Sequence, residues 1–177
     1  MPLLAFATAG IFVARPGTTA VQGFFDRAPA ANAAASRFDG YVSGSARIFV
    51  HPHTPPYPLE DVFPRYYLPG VHAGIGCTLS SWRTLEAVFS YAYSGVHAQA
   101  LAHRKEWCIK TDGPVYAAWW MGDEDVPTFA EAARRLDHLH DNGPSPFAFN
   151  FKSAYDATGN PASVDRDLVK QLILTKP

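Results

Sequence analysis

The sequence predicts an α+β fold of ferredoxin-like type, an antiparallel sheet with its helices on one face. Three observations carry this expectation. Segments of period two and of helical period follow one another in the order β-α-β-β-α-β, the split βαβ arrangement. The 177 residues suit a single domain with a sizeable core. Hydrophobic residues make up 47% and charged residues 18%, a balance that excludes a disordered chain.

The elements follow in order. Leu3–Val13 reads as a buried strand, stopped by Arg15-Pro16-Gly17. It is too short to span a bilayer and lacks the preceding positive charge of a signal peptide. An Ala-rich helix is expected over Thr19–Arg37, bent or interrupted at Pro29, with Phe24, Phe25 and Ala28 on its apolar face. Asp39-Gly40 turns the chain into a second strand, Tyr41–Val50. The insert His51–Gly70 holds six prolines and is expected to be irregular. Its Phe63, Tyr66 and Tyr67 are too apolar for a solvated linker, so it reads either as a lid over a ligand or as a packing arm.

Val71–Trp82 is the third strand, with Gly74 and Gly76 leaving room on one face. Helix follows from Thr84, broken near Ser94-Gly95, and runs on to Trp107. Pro114–Met121 forms the fourth strand. Thr128 and Glu131 make a capping-box pattern opening a further helix with the stripe Phe129, Ala132, Ala133, Leu136 and Leu139, ended by Gly143 and Pro144. Phe147–Phe151 reads as a closing strand. The chain is thus read as one domain over residues 1–159, with a weakly amphipathic extension over 160–177.

One stripe of the Tyr93–Cys108 stretch carries the candidate chemistry. His97, Ala100, Leu101, Arg104, Trp107 and Cys108 recur at helical spacing, so an imidazole and a guanidinium are carried inward beside a tryptophan. Burying ionisable groups costs free energy unless a partner compensates, which marks either a polar network or a site. Catalytic roles fall to His97 and Arg104. Tyr93, Trp107, Tyr116, Trp119, Trp120, Thr78, Tyr66, Tyr67 and Phe63 are the expected substrate contacts, with Ser80 a further polar group. Neighbours in a strand face opposite ways, so one of Trp119 and Trp120 is expected at the pocket and the other at a dimer face.

The stretches 93–107 (YSGVHAQALAHRKEW), 115–139 (VYAAWWMGDEDVPTFAEAARRLDHL) and 143–151 (GPSPFAFNF) resemble a domain-of-unknown-function family. That family belongs with the dimeric α/β-barrel proteins, the class that includes the antibiotic-biosynthesis monooxygenases. The resemblance covers most of residues 3–151. It rests on His97, Arg104, Trp107, Trp119, Trp120, Pro127, Gly143, Pro144, Pro146 and Phe149. Cys108 and Asp125 depart from the family pattern, where an aromatic and a histidine are usual. The resemblance implies a homodimer joined sheet to sheet and a pocket between the sheet and its helices.

Other machinery is missing. The sequence has no dinucleotide-type or P-loop glycine pattern and no GxSxG elbow. His51, His53 and His72 are the one plausible ligand group for a metal, but neither metal nor cofactor is expected. Haem on His97 is an alternative that the resemblance brings with it. A formal net charge of −1 without a basic stripe argues against nucleic acid and membrane as partners. Cys77 and Cys108 read as free thiols of a reducing, cytoplasmic setting.

The expected activity is cyclisation or isomerisation of an apolar polyketide or terpenoid, a Diels–Alder type closure included, with His97 or Arg104 polarising a carbonyl. Oxygenation of a phenol or anthrone, with His97 as base, is the first alternative. Sequestration of an apolar small molecule without turnover is the second.

Overall fold

A computed structural model describes residues 1–50 and 63–174. The first four strands and the first four helices run β1 (Leu3–Ile11), α1 (Thr19–Ala35), β2 (Tyr41–Phe49), β3 (Ile75–Trp82), α2 (Leu85–Ala92), α3 (Gly95–Ala102), α4 (Arg104–Trp107) and β4 (Tyr116–Met121). They are followed by α5 (Phe129–Asn142), a small hairpin of β5 (Ala154–Tyr155) and β6 (Pro161–Ala162), and α6 (Arg166–Leu174). The large sheet is antiparallel in the order β2-β3-β1-β4, the ferredoxin-like order that the β-α-β-β-α-β pattern predicts. Among the described residues it is an open layer with β2 and β4 as its edges, and no barrel closes.

The period of two sorts the sheet into two faces. On one, Leu4, Phe6, Thr8 and Gly10 of β1 stand beside Trp82, Ser80, Thr78 and Gly76 of β3. This face is covered by α1 to α4 and by Phe149 and Phe151. Trp82 is fully buried there, stacked on Tyr91, with its indole N–H donating to Ser80 Oγ at 2.8 Å. Gly10 and Gly76 lie opposite each other near the end of the strands, and they make room for the chain itself. A Cβ on Gly76 would stand 2.9 Å from the Phe12 ring, and one on Gly10 3.0 Å from Cys108 Sγ.

The other face carries Ala5, Ala7 and Ala9 of β1, Cys77 and Leu79 of β3, and Ala117 and Trp119 of β4. Small residues on β1 let α5 lie close, and its stripe Phe129, Ala132, Leu136 and Leu139 fills the space. Phe63, Tyr66 and Tyr67 complete this cover. The resemblance gave this face to a partner's sheet. Here α5 stands where that sheet would pack, and Ala5, Ala7, Ala117 and Trp119 are at most 1% exposed within the one chain.

Several boundaries differ from the sequence reading. Pro29 sits inside α1, which continues past it. The third strand begins at Ile75 because Val71 and His72 turn back, both backbone N–H groups donating to the Leu68 carbonyl. Phe147–Phe151 is not a continuous strand but a set of isolated bridges: Phe149 pairs with Ala118 through reciprocal bonds of 2.8 and 2.9 Å, while Ala148 pairs locally with Ser145 and Asn150 with Ser153. The extension after Gly159 is tied to the body, since β6 pairs with β5 and Val169 of α6 is buried in the cluster built on α2.

The capping box of α5 forms on one side: Thr128 Oγ1 accepts from the Glu131 N–H at 3.1 Å. Thr128→Ala removes that cap and should cost about 1 kcal/mol, read as a lower urea midpoint with unchanged slope.

Candidate functional site

A cavity of about 410 Å³ lies between the first face of the sheet and the helices α1, α3 and α4. That volume falls within the range of about 300–1,000 Å³ typical of small-molecule sites. Thr8, Gly76, Thr78, Ala46 and Ile48 form its floor, and Phe24, Phe25, Ala28 and Pro29 bring α1 in as one wall. His97, Ala100, Leu101, Arg104, Trp107 and Cys108 form the other wall, the whole stripe read from the sequence. Tyr93, Tyr116 and Phe151 close one end.

The stripe survives a helix that breaks twice. The chain leaves α2 at Tyr93, restarts at Gly95, where φ is +53°, and breaks again at His103 between α3 and α4. His97 and Arg104 therefore sit on two separate short helices that share one wall. Gly23 lets α1 close on this wall, since a Cβ there would stand 3.0 Å from the Trp107 indole nitrogen.

His97 is oriented from behind. Its Nδ1–H donates to the Ala92 carbonyl at 2.8 Å, and its ring lies 4.6 Å from the ring of Tyr91. A carbonyl only accepts, so the Nδ1 proton is fixed and the neutral ring leaves Nε2 as a free lone pair. Burial holds the imidazole below its usual pKa, with the Ala92 bond pulling weakly the other way. Among the described residues, Nε2 has no hydrogen-bond partner. This is an unprotonated base at neutral pH on the wall of an apolar chamber.

Arg104 is half-buried and makes no ion pair among the described residues. Two acids feel its charge, Cys108 and Tyr66, and burial pushes both upward more strongly than the guanidinium pulls them down. Both therefore stay neutral and leave the cation uncompensated. On the floor, Thr8 and Thr78 face each other across β1 and β3, their hydroxyls 2.7 Å apart. The Tyr116 hydroxyl accepts the Phe151 N–H at 3.2 Å. Burial, helped by the neighbouring Tyr93 hydroxyl, pushes its phenol up to about 12.

The structure thus brings together His97, Arg104, Tyr93, Trp107, Tyr116 and Thr78, and it moves the other expected contacts elsewhere. Trp119 points to the opposite face, fully buried under α5 and Arg135. Trp120 shares the face of Tyr116 but lies four residues on, roughly 13 Å along the strand. Its indole N–H is spent on the Tyr155 carbonyl at 2.7 Å. Phe63 and Tyr67 pack edge to face beneath the sheet, and the Tyr66 hydroxyl donates to the Pro114 carbonyl. They are apolar packing on the far face, so this part of the insert is an arm and not a lid. Ser80 is taken up by Trp82 and the Phe6 carbonyl.

Of the suggested metal ligands, His51 and His53 lie outside the described residues. His72 Nδ1 accepts the Leu68 N–H at 2.9 Å. Among the described residues no cluster of three or more His, Cys, Asp or Glu has metal-binding geometry. Both cysteines are free and buried, with Cys77 pushed up to about 12, so neither is a thiolate nucleophile. Among the described residues no helix is long and apolar enough to cross a membrane.

The α1 wall and Thr8 were missed from sequence. Thr8 had a signal, being the single polar residue within Leu3–Ile11.

No curated protein matches the chain. Among solved structures, Rv0793 from Mycobacterium tuberculosis is similar at 16% identity and a TM-score of 0.42, over 72% of this chain and all of that one. A family model described as a domain of unknown function, DUF3291, matches residues 3–165, and the chain belongs to that family.

Proposed function

We propose that this chain is an enzyme that folds an apolar polyketide or terpenoid inside the cavity and isomerises or cyclises it, with His97 as the base. The neutral imidazole at Nε2 is the observation that carries the reading. A base with no competing partner, held in one tautomer by Ala92, can take a proton from a carbon beside a carbonyl. Returned elsewhere, the proton completes an isomerisation; if the carbanion attacks a second carbonyl, a ring closes. Apolar walls from Phe24, Phe25, Leu101 and Trp107 would hold the chain folded, and such positioning replaces up to about 7–11 kcal/mol of barrier in the best cases. Arg104 faces an oxygen of the guest. The buried free thiols of Cys77 and Cys108 support a reducing, cytoplasmic setting.

The same base supports a second reading. A carbanion made by His97 from an anthrone or phenol could react with dioxygen, as the monooxygenase relatives of the fold suggest.

Deuterium exchange separates these outcomes. Purified protein is incubated in D₂O with an anthrone and with a linear 1,3-diketone, and both oxygen uptake and label in the recovered compounds are followed. Exchange without oxygen uptake supports the isomerase or cyclase, and uptake supports the oxygenase. Exchange at the buffer rate in every case overturns both and leaves a binding protein.

A further inference from the structure

Arg104 raises a question that the base chemistry leaves open. A guanidinium half out of water, on an apolar wall, costs free energy unless an anion meets it. The protein supplies none among the described residues. Glu106, the nearest carboxylate in sequence, accepts from His103 Nδ1 at 2.8 Å instead. The nearest acids that feel its charge, Cys108 and Tyr66, are neutral. Trp107 does not take the cation either, because the guanidinium over its ring is that of Arg27, 5.5 Å from the centroid.

Among the described residues no anion meets the guanidinium, and the cavity that Arg104 lines is where one can reach it. We propose that the guest is an apolar carboxylic acid, bound as its carboxylate on Arg104 with its apolar body along Gly76, Ile48 and Phe24. A carboxylate fits the planar fork of a guanidinium with two parallel bonds. A phenol does not serve, because at neutral pH it is protonated and brings no charge. This inference rests on the cavity reading above and narrows it, since the oxygen that Arg104 meets is already an anion on arrival. The Thr8–Thr78 hydroxyl pair shares one hydrogen between two oxygens and has a second left over, a donor for a neutral oxygen on the guest's other end.

Isothermal titration at pH 7.5 tests it with two probes of one shape, 1-naphthoate and 1-naphthalenemethanol, against the wild-type chain, Arg104→Met and Arg104→Lys. The acid should bind the wild-type chain roughly tenfold or more tightly than the alcohol, as a charge-assisted bond implies. The preference should weaken in high salt. Arg104→Met should lose the preference while binding the alcohol at least as well, which also shows that the variant is folded. Arg104→Lys should keep part of it. Equal binding of both probes by the wild-type chain, or a preference that persists in Arg104→Met, overturns the carboxylate anchor and leaves the cavity reading intact. Binding of neither probe overturns both.

Discussion

His97→Ala is expected to lower kcat/KM by about 10²–10⁴-fold, the usual contribution of a positioned general base. The loss should fall on kcat, because the apolar walls that hold the substrate are untouched. His97→Asn, whose amide N–H stands where Nδ1–H does and can still donate to the Ala92 carbonyl but offers no basic nitrogen, should be nearly as slow. Two similar losses together separate base chemistry from a merely structural histidine, whose function asparagine would restore.

The pH profile carries the same signature. Burial keeps the His97 imidazole below its ordinary value, so the base form persists into mildly acid solution. The acid limb of the rate profile should accordingly lie below the ordinary histidine range of about 6.5. The sign for stability follows from linkage. As pH falls through about 6.5 the unfolded chain takes up the imidazole proton first, so the folded state loses stability between there and the lower folded value. The urea midpoint of the wild-type chain should drop more between pH 7.5 and 5.5 than that of His97→Ala. Equal drops would place the imidazole in solvent and remove the argument for a neutral base.

Trp119→Ala should be the most destabilising single change on the far face, costing about 3–5 kcal/mol of a total near 5–15. The side chain is fully buried among Leu136, Ala117 and Ala5, and the Arg135 guanidinium lies 5.3 Å from its ring centre. Among the described residues its indole nitrogen has no hydrogen-bond partner, so packing accounts for the loss. Trp119→Phe, which keeps an aromatic ring and discards that unpartnered N–H, should cost clearly less. Thermal unfolding measures both. Binding of 1-naphthalenemethanol by Trp119→Phe should match the wild-type chain, because the residue and the cavity stand on opposite faces of the sheet. A weakened affinity would return Trp119 to the site.

Which parts of this were legible in the sequence follows from where each signal resides. The strand order and the α1 to α4 cover were readable because period two and period 3.6 are local. The His97–Arg104 stripe was readable for the same reason, and the two helix breaks left both residues on one wall. Tertiary choices were not local. The parity of β4 correctly split Trp119 from Trp120, but only the length of the cavity decides that Trp120 lies beyond its end. Phe63, Tyr66 and Tyr67 are as apolar as ligand contacts and as packing; which they are depends on the face the chain crosses after β2. The use of the second face was hidden in the same way, since an amphipathic α5 reads identically whether it packs on its own sheet or beside a partner's. Thr8 was overlooked because a lone threonine in a strand is ordinary until its cross-strand neighbour is also threonine.

One consequence of the layered arrangement bears on how such a protein changes over generations. The chamber draws its walls from α1, α3 and α4, whereas α5 anchors the reverse of the sheet with an independent set of side chains. Substitutions that reshape the chamber for a new guest can thus leave the reverse-side anchorage by α5 intact, so their cost falls on the chamber's own side of the sheet.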